Sequence, residues 1–247
     1  MKFLPLFLLL SVPVFASEIT SPFYVPQLGH VLTKTSADYE KGKRTMKPTT
    51  RTYRRSVNEE ITIGLGAGMA GVISGDMNWT RQKGITSISA PHTKGYGAGL
   101  KGSWEVESFL TQISALYHQT TNVDFEPRRL MKADLYLGKK LNVMTPYLHL
   151  AGDFPLHVRP EWNEPRYRGE TGVFQPVNKN LTLDTALFLD YDKNIKGRSY
   201  GIRTSLDWLM TSWASLGING EWQPTGHAKA HTKTYRQKVG THLQLSF

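Results

Sequence analysis

The stretch Tyr235–Phe247, with the sequence YRQKVGTHLQLSF, decides the fold of this chain. Alternate positions from Tyr235 to Phe247 are mostly apolar or aromatic, and the positions between them are all polar or glycine. A period of two predicts a β-strand with one apolar face and one polar face. The stretch is also long enough for a tilted membrane crossing, which needs about 9–11 residues of strand.

An alternating strand that ends in an aromatic residue, here Phe247, resembles the closing strand of Gram-negative outer-membrane β-barrel proteins. The resemblance covers this last strand and is strengthened by the export signal described next. It implies an antiparallel transmembrane barrel and recognition of the strand by the outer-membrane assembly machinery.

The first residues have the pattern of a secretory signal peptide. Lys2 supplies a positive start, Phe3–Val14 is an apolar stretch, and Ala16 ends a small-residue cleavage pattern. We therefore expect a cleaved signal peptide at 1–16 and an extended periplasmic segment at 17–28. The barrel is expected at 29–247, exported through the periplasm to the outer membrane.

The composition excludes several classes of protein. Without cysteine the chain has no disulfide and no thiolate metal site. Mean hydropathy is −0.37, and the longest apolar or glycine run after the signal, Gly64–Ile73, is about half of a spanning helix. The net charge of +10 favours lipopolysaccharide phosphates and small anionic solutes as partners, together with outer-membrane lipid, because an exported chain rarely meets nucleic acid.

Most of the chain after the signal repeats the alternating pattern. Counting strands backward from the last one predicts an all-β, antiparallel up-and-down barrel of about twelve strands, with ten as the alternative. The first strand is expected at Gly29–Tyr39 and the second near residues 44–56. Tight turns are expected near Ser56–Asn58, Val106–Ser108, Lys139–Asn142, Val177–Asn180 and Met210–Ser212. Longer links are expected at Gly71–Pro91, Gln119–Pro127, Val158–Tyr167, Asp192–Gly197 and Gln223–Thr234.

Aromatic residues lie at strand ends on the apolar parity. Tyr200 and Trp208, for example, are separated by eight residues, or roughly 20 Å of tilted strand. This distance is close to the apolar band of outer-membrane barrels and indicates two aromatic girdles rather than the core of a soluble sandwich. The predicted girdle comprises Trp104, Phe109, Tyr117, Tyr191, Tyr200, Trp208, Trp222, Tyr235 and Phe247.

Charged and imidazole side chains occupy the opposite parity and are predicted to line the lumen. They are Lys101, Lys132, Asp134, His149, Asp184, Asp190, Arg203, Asp207, Glu221, Arg236, Lys238 and His242. These groups either line an open channel or pair with one another and plug it. Local pairs such as Arg203 with Asp207 would favour a plugged lumen. The wider bore of a twelve-stranded barrel favours an open channel.

Three motifs are weaker indicators of chemistry. Gly66–Gly71 matches a dinucleotide fingerprint but lacks the following helix, and its glycines are more simply explained by bending of the sheet. His227 and His231 have a metal-like spacing next to lysines, which favours a solvated loop and no metal site. His118 and His149 are the candidates for a lipid-modifying enzyme, but no hydrolase motif surrounds them.

The favoured function is a narrow channel for passive passage of small, preferentially anionic solutes, with no cofactor and no enzymatic activity. The first alternative is a non-conducting structural or surface-contact barrel that acts through its loops. Its contact surface would be the loop Val158–Tyr167, with Arg159, Glu161, Trp162, Glu164 and Arg166. The second alternative is a lipid-modifying outer-membrane enzyme.

Overall fold

The computed structural model describes residues 19–45, 50–83, 89–122, 125–157, 164–193, 197–228 and 232–247; the predicted signal peptide lies outside them. The strands are β1 (Val31–Thr45), β2 (Thr50–Gly66), β3 (Met69–Lys83), β4 (Ser89–Val106), β5 (Phe109–Asn122), β6 (Phe125–Lys139), β7 (Thr145–His157), β8 (Arg166–Asn178), β9 (Leu181–Asp192), β10 (Gly197–Thr211), β11 (Ala214–Ala228) and β12 (Thr232–Ser246). Each strand pairs with its neighbours in sequence, and β1 pairs with β12 to close the barrel. The prediction of a twelve-stranded antiparallel barrel is confirmed. None of the described residues forms a helix that could cross a membrane.

The two ends of the barrel differ in their connections. Short links at 67–68, 107–108, 140–144, 179–180 and 212–213 lie at one end, which we call the turn end. The opposite end is called the loop end. Four of the five predicted tight turns lie at the turn end as expected. In outer-membrane barrels the short turns face the periplasm and the longer loops face outward.

Two predicted connections near the start of the barrel are wrong. The predicted turn at Ser56–Asn58 lies inside β2, and the predicted link Gly71–Pro91 contains most of β3. Ser56 and Asn58 lie on the inward parity, where polar residues are ordinary and do not mark a turn. The chain instead turns at Ala67–Gly68, whose φ angles of 53° and 74° are those of a tight hairpin. The Gly66–Gly71 motif therefore serves this hairpin.

Closure joins the beginning of the barrel to its last strand. The register between β1 and β12 runs from Leu32 opposite Ser246 to Thr45 opposite Lys233 without a bulge. At the turn end, Val31 and Phe247 exchange backbone hydrogen bonds of 2.9 and 2.8 Å. Closure satisfies the edge of the sheet, which a membrane-embedded barrel requires because lipid supplies no hydrogen-bond partners.

The outer wall is the apolar face of the barrel. Large side chains on it are strongly exposed, including Leu187 at 60%, Ile218 at 55% and Val239 at 64%. Most charged side chains of the same strands point inward and are buried or half-buried. This arrangement is the reverse of a soluble protein and is the one expected of a wall that faces lipid.

Candidate functional site: the barrel lumen

The lumen receives side chains of one parity from every strand. All twelve residues predicted to line it lie on this inward parity, on β4, β6, β7, β9, β10, β11 and β12. The structure brings ten of them into hydrogen bonds or ion pairs that cross between strands. These ten are Asp134, His149, Asp184, Asp190, Arg203, Asp207, Glu221, Arg236, Lys238 and His242.

Arg203 is the centre of a polar cluster in the middle of the barrel. Its guanidinium donates to Glu170 at 3.1 and 3.2 Å, to Asp184 at 2.9 Å and to the hydroxyl of Tyr147 at 2.7 Å. The hydroxyl of Tyr147 in turn donates to Asp184 at 2.6 Å. Glu170 is only 3% exposed, so its charge depends on this arginine for compensation.

A second group of ion pairs lies nearer the loop end. Arg168 donates to both carboxylate oxygens of Asp190 at 2.5 and 3.0 Å and to Glu221 at 3.1 and 3.2 Å. Arg236 also donates to Asp190, at 3.1 Å, and to Glu221. Arg168 and Glu221 are three strands apart, so these bonds span part of the lumen. Together with the bonds of Arg203 they form what we call the arginine network.

The arginine network contradicts the predicted local pairing of Arg203 with Asp207. Four residues along one strand separate two side chains by roughly 13 Å, whereas neighbouring strands are roughly 5 Å apart. Arg203 therefore reaches across strands, and Asp207 instead pairs with His242 at 2.5 Å. Ser205 donates to the same Asp207 at 2.9 Å, and all three side chains are buried.

His149 on β7 links Glu170 of the arginine network, on β8, to Asp134 on the neighbouring strand β6. Its Nε2 lies 3.0 Å from Asp134, and its Nδ1 lies 3.4 Å from Glu170. The imidazole stacks on Tyr136 with ring centroids 3.8 Å apart. Asp134 also accepts a hydrogen bond from Ser114 at 3.0 Å. His149 is therefore fixed inside the barrel and does not reach the outer wall.

A cavity of about 400 Å³ lies in the middle of the barrel beside this network. Lys101 and Lys132 line it, and neither lysine forms an ion pair with any described residue. Four acidic residues also line it: Asp76 is bonded to His118 at 2.6 Å and Asp134 to His149, whereas Glu59 and Glu60 form no ion pair with a described residue. The cavity thus has ammonium groups that can contact a solute, while two of its carboxylates are already engaged.

Two larger cavities lie at the ends of the barrel. The loop-end cavity has a volume of about 630 Å³ and includes Arg166, Arg168 and Lys238 in its wall. Outside the strands at this end, Glu164 accepts a hydrogen bond of 2.7 Å from Lys193, which raises the pKa of Lys193. A turn-end cavity of about 600 Å³ lies next to the segment before β1.

Residues 19–28, which we call the N-terminal segment, lie within the turn end of the barrel. Phe23 packs edge-on against Tyr136 and Tyr147, with centroid distances of 6.0 and 6.4 Å, in a buried apolar cluster. Gln112 donates to the carbonyl of Pro22 at 2.5 Å, and Gln244 donates to the carbonyl of Ile19. The segment therefore narrows the lumen at this end.

The predicted girdle residues all lie on the outward parity. Seven of them are exposed on the outer wall: Trp104, Phe109, Tyr200, Trp208, Trp222, Tyr235 and Phe247. Tyr117 and Tyr191 are partly buried by neighbours, since Tyr117 bonds to Gln119 and Arg198 lies over the ring of Tyr191.

Sequence reasoning missed several inward groups. Arg168 and Glu170 lie in β8, where glycine on the outward parity weakens the alternation. A usable signal was present, because Arg166, Arg168 and Glu170 share one parity. The sequence pattern also leaves out Asp76, because it predicts a link at Gly71–Pro91 where the structure has β3.

The remaining sequence motifs are the histidine pair His227 and His231, the predicted contact loop, and the candidate catalytic histidines His118 and His149. Within the described ranges no three potential metal ligands lie together. His231 lies outside these residues, as do residues 158–163 of the predicted contact loop with Arg159, Glu161 and Trp162. His118, like His149, points into the lumen, whereas a barrel hydrolase would need its histidine on the outer wall or at the rim.

Solved structures share this architecture. An outer membrane channel from Pseudomonas putida F1 superposes with a TM-score of 0.68 at 8% identity, over 92% of this chain and 98% of that one. The fold is that of the outer-membrane β-barrels. The translocator domain of the autotransporter NalP from Neisseria meningitidis gives 0.52 at 8% identity over 92% of each chain. The NanC porin gives 0.51 at 11% identity over 83% of this chain and 98% of that one. No protein-family model and no curated protein matches the chain.

Proposed function

We propose that the protein is an outer-membrane channel for passive passage of small, preferentially anionic solutes. The observation that carries the proposal is the sequence of three cavities from the loop end to the turn end, of about 630, 400 and 600 Å³. Charged side chains line the loop-end and middle cavities, whereas apolar and aromatic side chains line much of the turn-end cavity. The outer wall around all three is apolar. Twelve strands also leave more room than the filled eight-stranded barrels.

The anionic preference rests on the middle cavity. Lys101 and Lys132 have no ion-pair partner among the described residues, and Asp76 and Asp134 are bonded to histidines. Of the two glutamates in this wall, Glu60 lies on the inward parity and opposes the two lysines, whereas Glu59 lies on the outward parity. Unpaired ammonium groups in a narrow, partly dehydrated passage lower the free energy of an anion and raise that of a cation. The arginine network adds little, because its carboxylates neutralise it.

The experiment is a reversal-potential measurement on purified protein in a planar bilayer with a KCl gradient. An anion-preferring channel gives a reversal potential with the sign of the chloride equilibrium potential. Replacing both lysines in Lys101→Gln/Lys132→Gln should move this potential toward zero or reverse its sign. The exposed Lys140→Gln, which removes a cation paired with Glu105 at the turn end, is the matched control.

A reversal potential of potassium sign in the native protein would contradict the anionic preference. An unchanged potential in the double variant would contradict its assignment to these two lysines. Absence of any conductance would favour the non-conducting barrel, for which the arginine network and the N-terminal segment would act as a plug.

A further inference from the structure

The outer wall near the loop end carries a compact group of cations on β1, β2 and β3. Three rows of register neighbours form it, and we call it the basic grid. The rows are Lys43, Arg51 and Lys83; Lys41, Tyr53 and Arg81; and Tyr39, Arg55 and Trp79. Neighbouring strands are roughly 5 Å apart and alternate residues roughly 7 Å apart, so the grid covers about 10 by 14 Å.

The cations of the basic grid are available for a ligand. All six are exposed, and none forms an ion pair with a described residue. Lys83 lies 6.0 Å from the centre of the Tyr53 ring, which leaves its ammonium group open to other contacts. Glu59, an acid on the same outward face, lies four residues from Arg55 toward the turn end. The grid itself contains no carboxylate, so a polyanion meets attraction throughout it.

The height of the grid coincides with the outer edge of the membrane. Ten residues of β2 separate Leu65, at the turn end of the apolar wall, from Arg55. At roughly 3.4 Å per residue and a tilt of about 40°, they span roughly 26 Å, which is the height of the apolar band in such barrels. Arg55 therefore lies at the level of the outer headgroups, as do the rings of Tyr39 and Trp79.

An apolar groove continues from the grid into this band. It has a volume of about 720 Å³, and its wall includes Tyr39, Arg55, Val57, Trp79 and Val239. Its upper end is bounded by a guanidinium and two aromatic rings, and its lower part by aliphatic side chains. A ligand with anionic groups above an acyl chain matches this distribution of charge and apolar surface.

We propose that the basic grid and the groove form a binding site for lipopolysaccharide. Phosphates of its lipid A headgroup lie on Arg51, Arg55 and Arg81, and an acyl chain lies in the groove. Arginine suits this role because its planar fork donates two parallel hydrogen bonds to a phosphate. The site faces away from the lumen, so it is independent of conduction.

The test is binding of diphosphorylated lipid A, and of chemically dephosphorylated lipid A, to the detergent-purified barrel by native mass spectrometry. The variant Arg51→Gln/Arg55→Gln/Arg81→Gln should bind the diphosphorylated lipid about 100-fold more weakly than the native protein. The matched control is Arg198→Gln, which removes an outward arginine at the loop end of β10, 5.9 Å from the Tyr191 ring. It should bind as the native protein does.

Folding of each variant is checked by the shift in gel mobility on boiling, and conduction should be unchanged in the triple variant. Equal binding of the phosphorylated and dephosphorylated lipids by the native protein would overturn the phosphate site. Equal binding of diphosphorylated lipid A by the native protein and a folded triple variant would overturn the assignment to the grid.

Discussion

Removal of the guanidinium of Arg203 is the sharpest perturbation of the lumen. In Arg203→Gln, Glu170 and Asp184 lose their charge-assisted partner, and Tyr147 loses a donor. Breaking a buried pair by removal of one partner costs about 3–5 kcal/mol. Arg203 is 23% exposed toward the lumen and Asp184 13%, so solvent recovers part of this cost. We expect a loss of about 2–4 kcal/mol in the free energy of unfolding.

The assay is urea-dependent folding into lipid vesicles, followed by fluorescence of the six tryptophans. Arg198→Gln is the matched control and should change stability by no more than about 0.5 kcal/mol, because its side chain is exposed. Arg203→Lys should recover only part of the loss, since lysine keeps the charge but not the planar fork. Equal stabilities of Arg203→Gln and Arg198→Gln would refute the interpretation that the arginine network stabilises the barrel.

Three further perturbations test other parts of the structure. Leu187→Arg places a charge on the lipid-facing wall and should cost about 2–4 kcal/mol of folding free energy in vesicles; a cost below about 0.5 kcal/mol would indicate a wall that faces water. In Gly68→Ala, the added methyl group overlaps a backbone carbonyl of β4, and the φ of 74° is unfavourable for alanine. The yield of folded, heat-modifiable protein should therefore fall, and an unchanged yield would contradict the hairpin. Gly138→Ala puts a methyl group 2.5 Å from the ring of Phe23 and should make the N-terminal segment more sensitive to protease, whereas Gly71→Ala, with nothing within 4 Å, should not. Equal protease sensitivity of these two variants would contradict the packing of Phe23.

The sequence predicts the barrel because alternate residues along most strands face lipid and are therefore apolar. β12 is the clearest case, since no charged residue interrupts its outward parity from Tyr235 to Phe247. The same rule predicts which side chains point inward, because the parity of a residue is a local property. Strand number follows from the requirement that the first and last strands pair.

The misplacement of β2 and β3 has a local physical cause. β2 has 17 residues and is longer than a membrane crossing needs, so polar residues occur well inside it. The inward-facing Ser56 and Asn58 therefore resemble a turn in the sequence. On β3, Gly71 and Gly75 occupy outward positions and hide the alternation. Strand ends that extend beyond the lipid lose the apolar signal, and sequence parity then no longer shows where they stop.

Partners inside the lumen are not predictable from parity. The bonds of Arg203 depend on the stagger between strands and on the length of its side chain, which together bring Glu170 within hydrogen-bonding distance. Asp207 pairs with His242 instead. Nor does the pattern of the strands show that Phe23 packs inside the turn end, because its contacts come from β6 and β7. These features belong to the closed barrel and appear only when it is assembled.

Single-channel recording tests the proposed passage most directly. Protein without the predicted signal peptide and a variant that also lacks residues 19–28 would be recorded in planar bilayers under the same salt and voltages. We predict conductance steps from both proteins, with larger steps from the variant, because the N-terminal segment narrows the turn end. Absence of steps from both folded proteins at every voltage would contradict a channel.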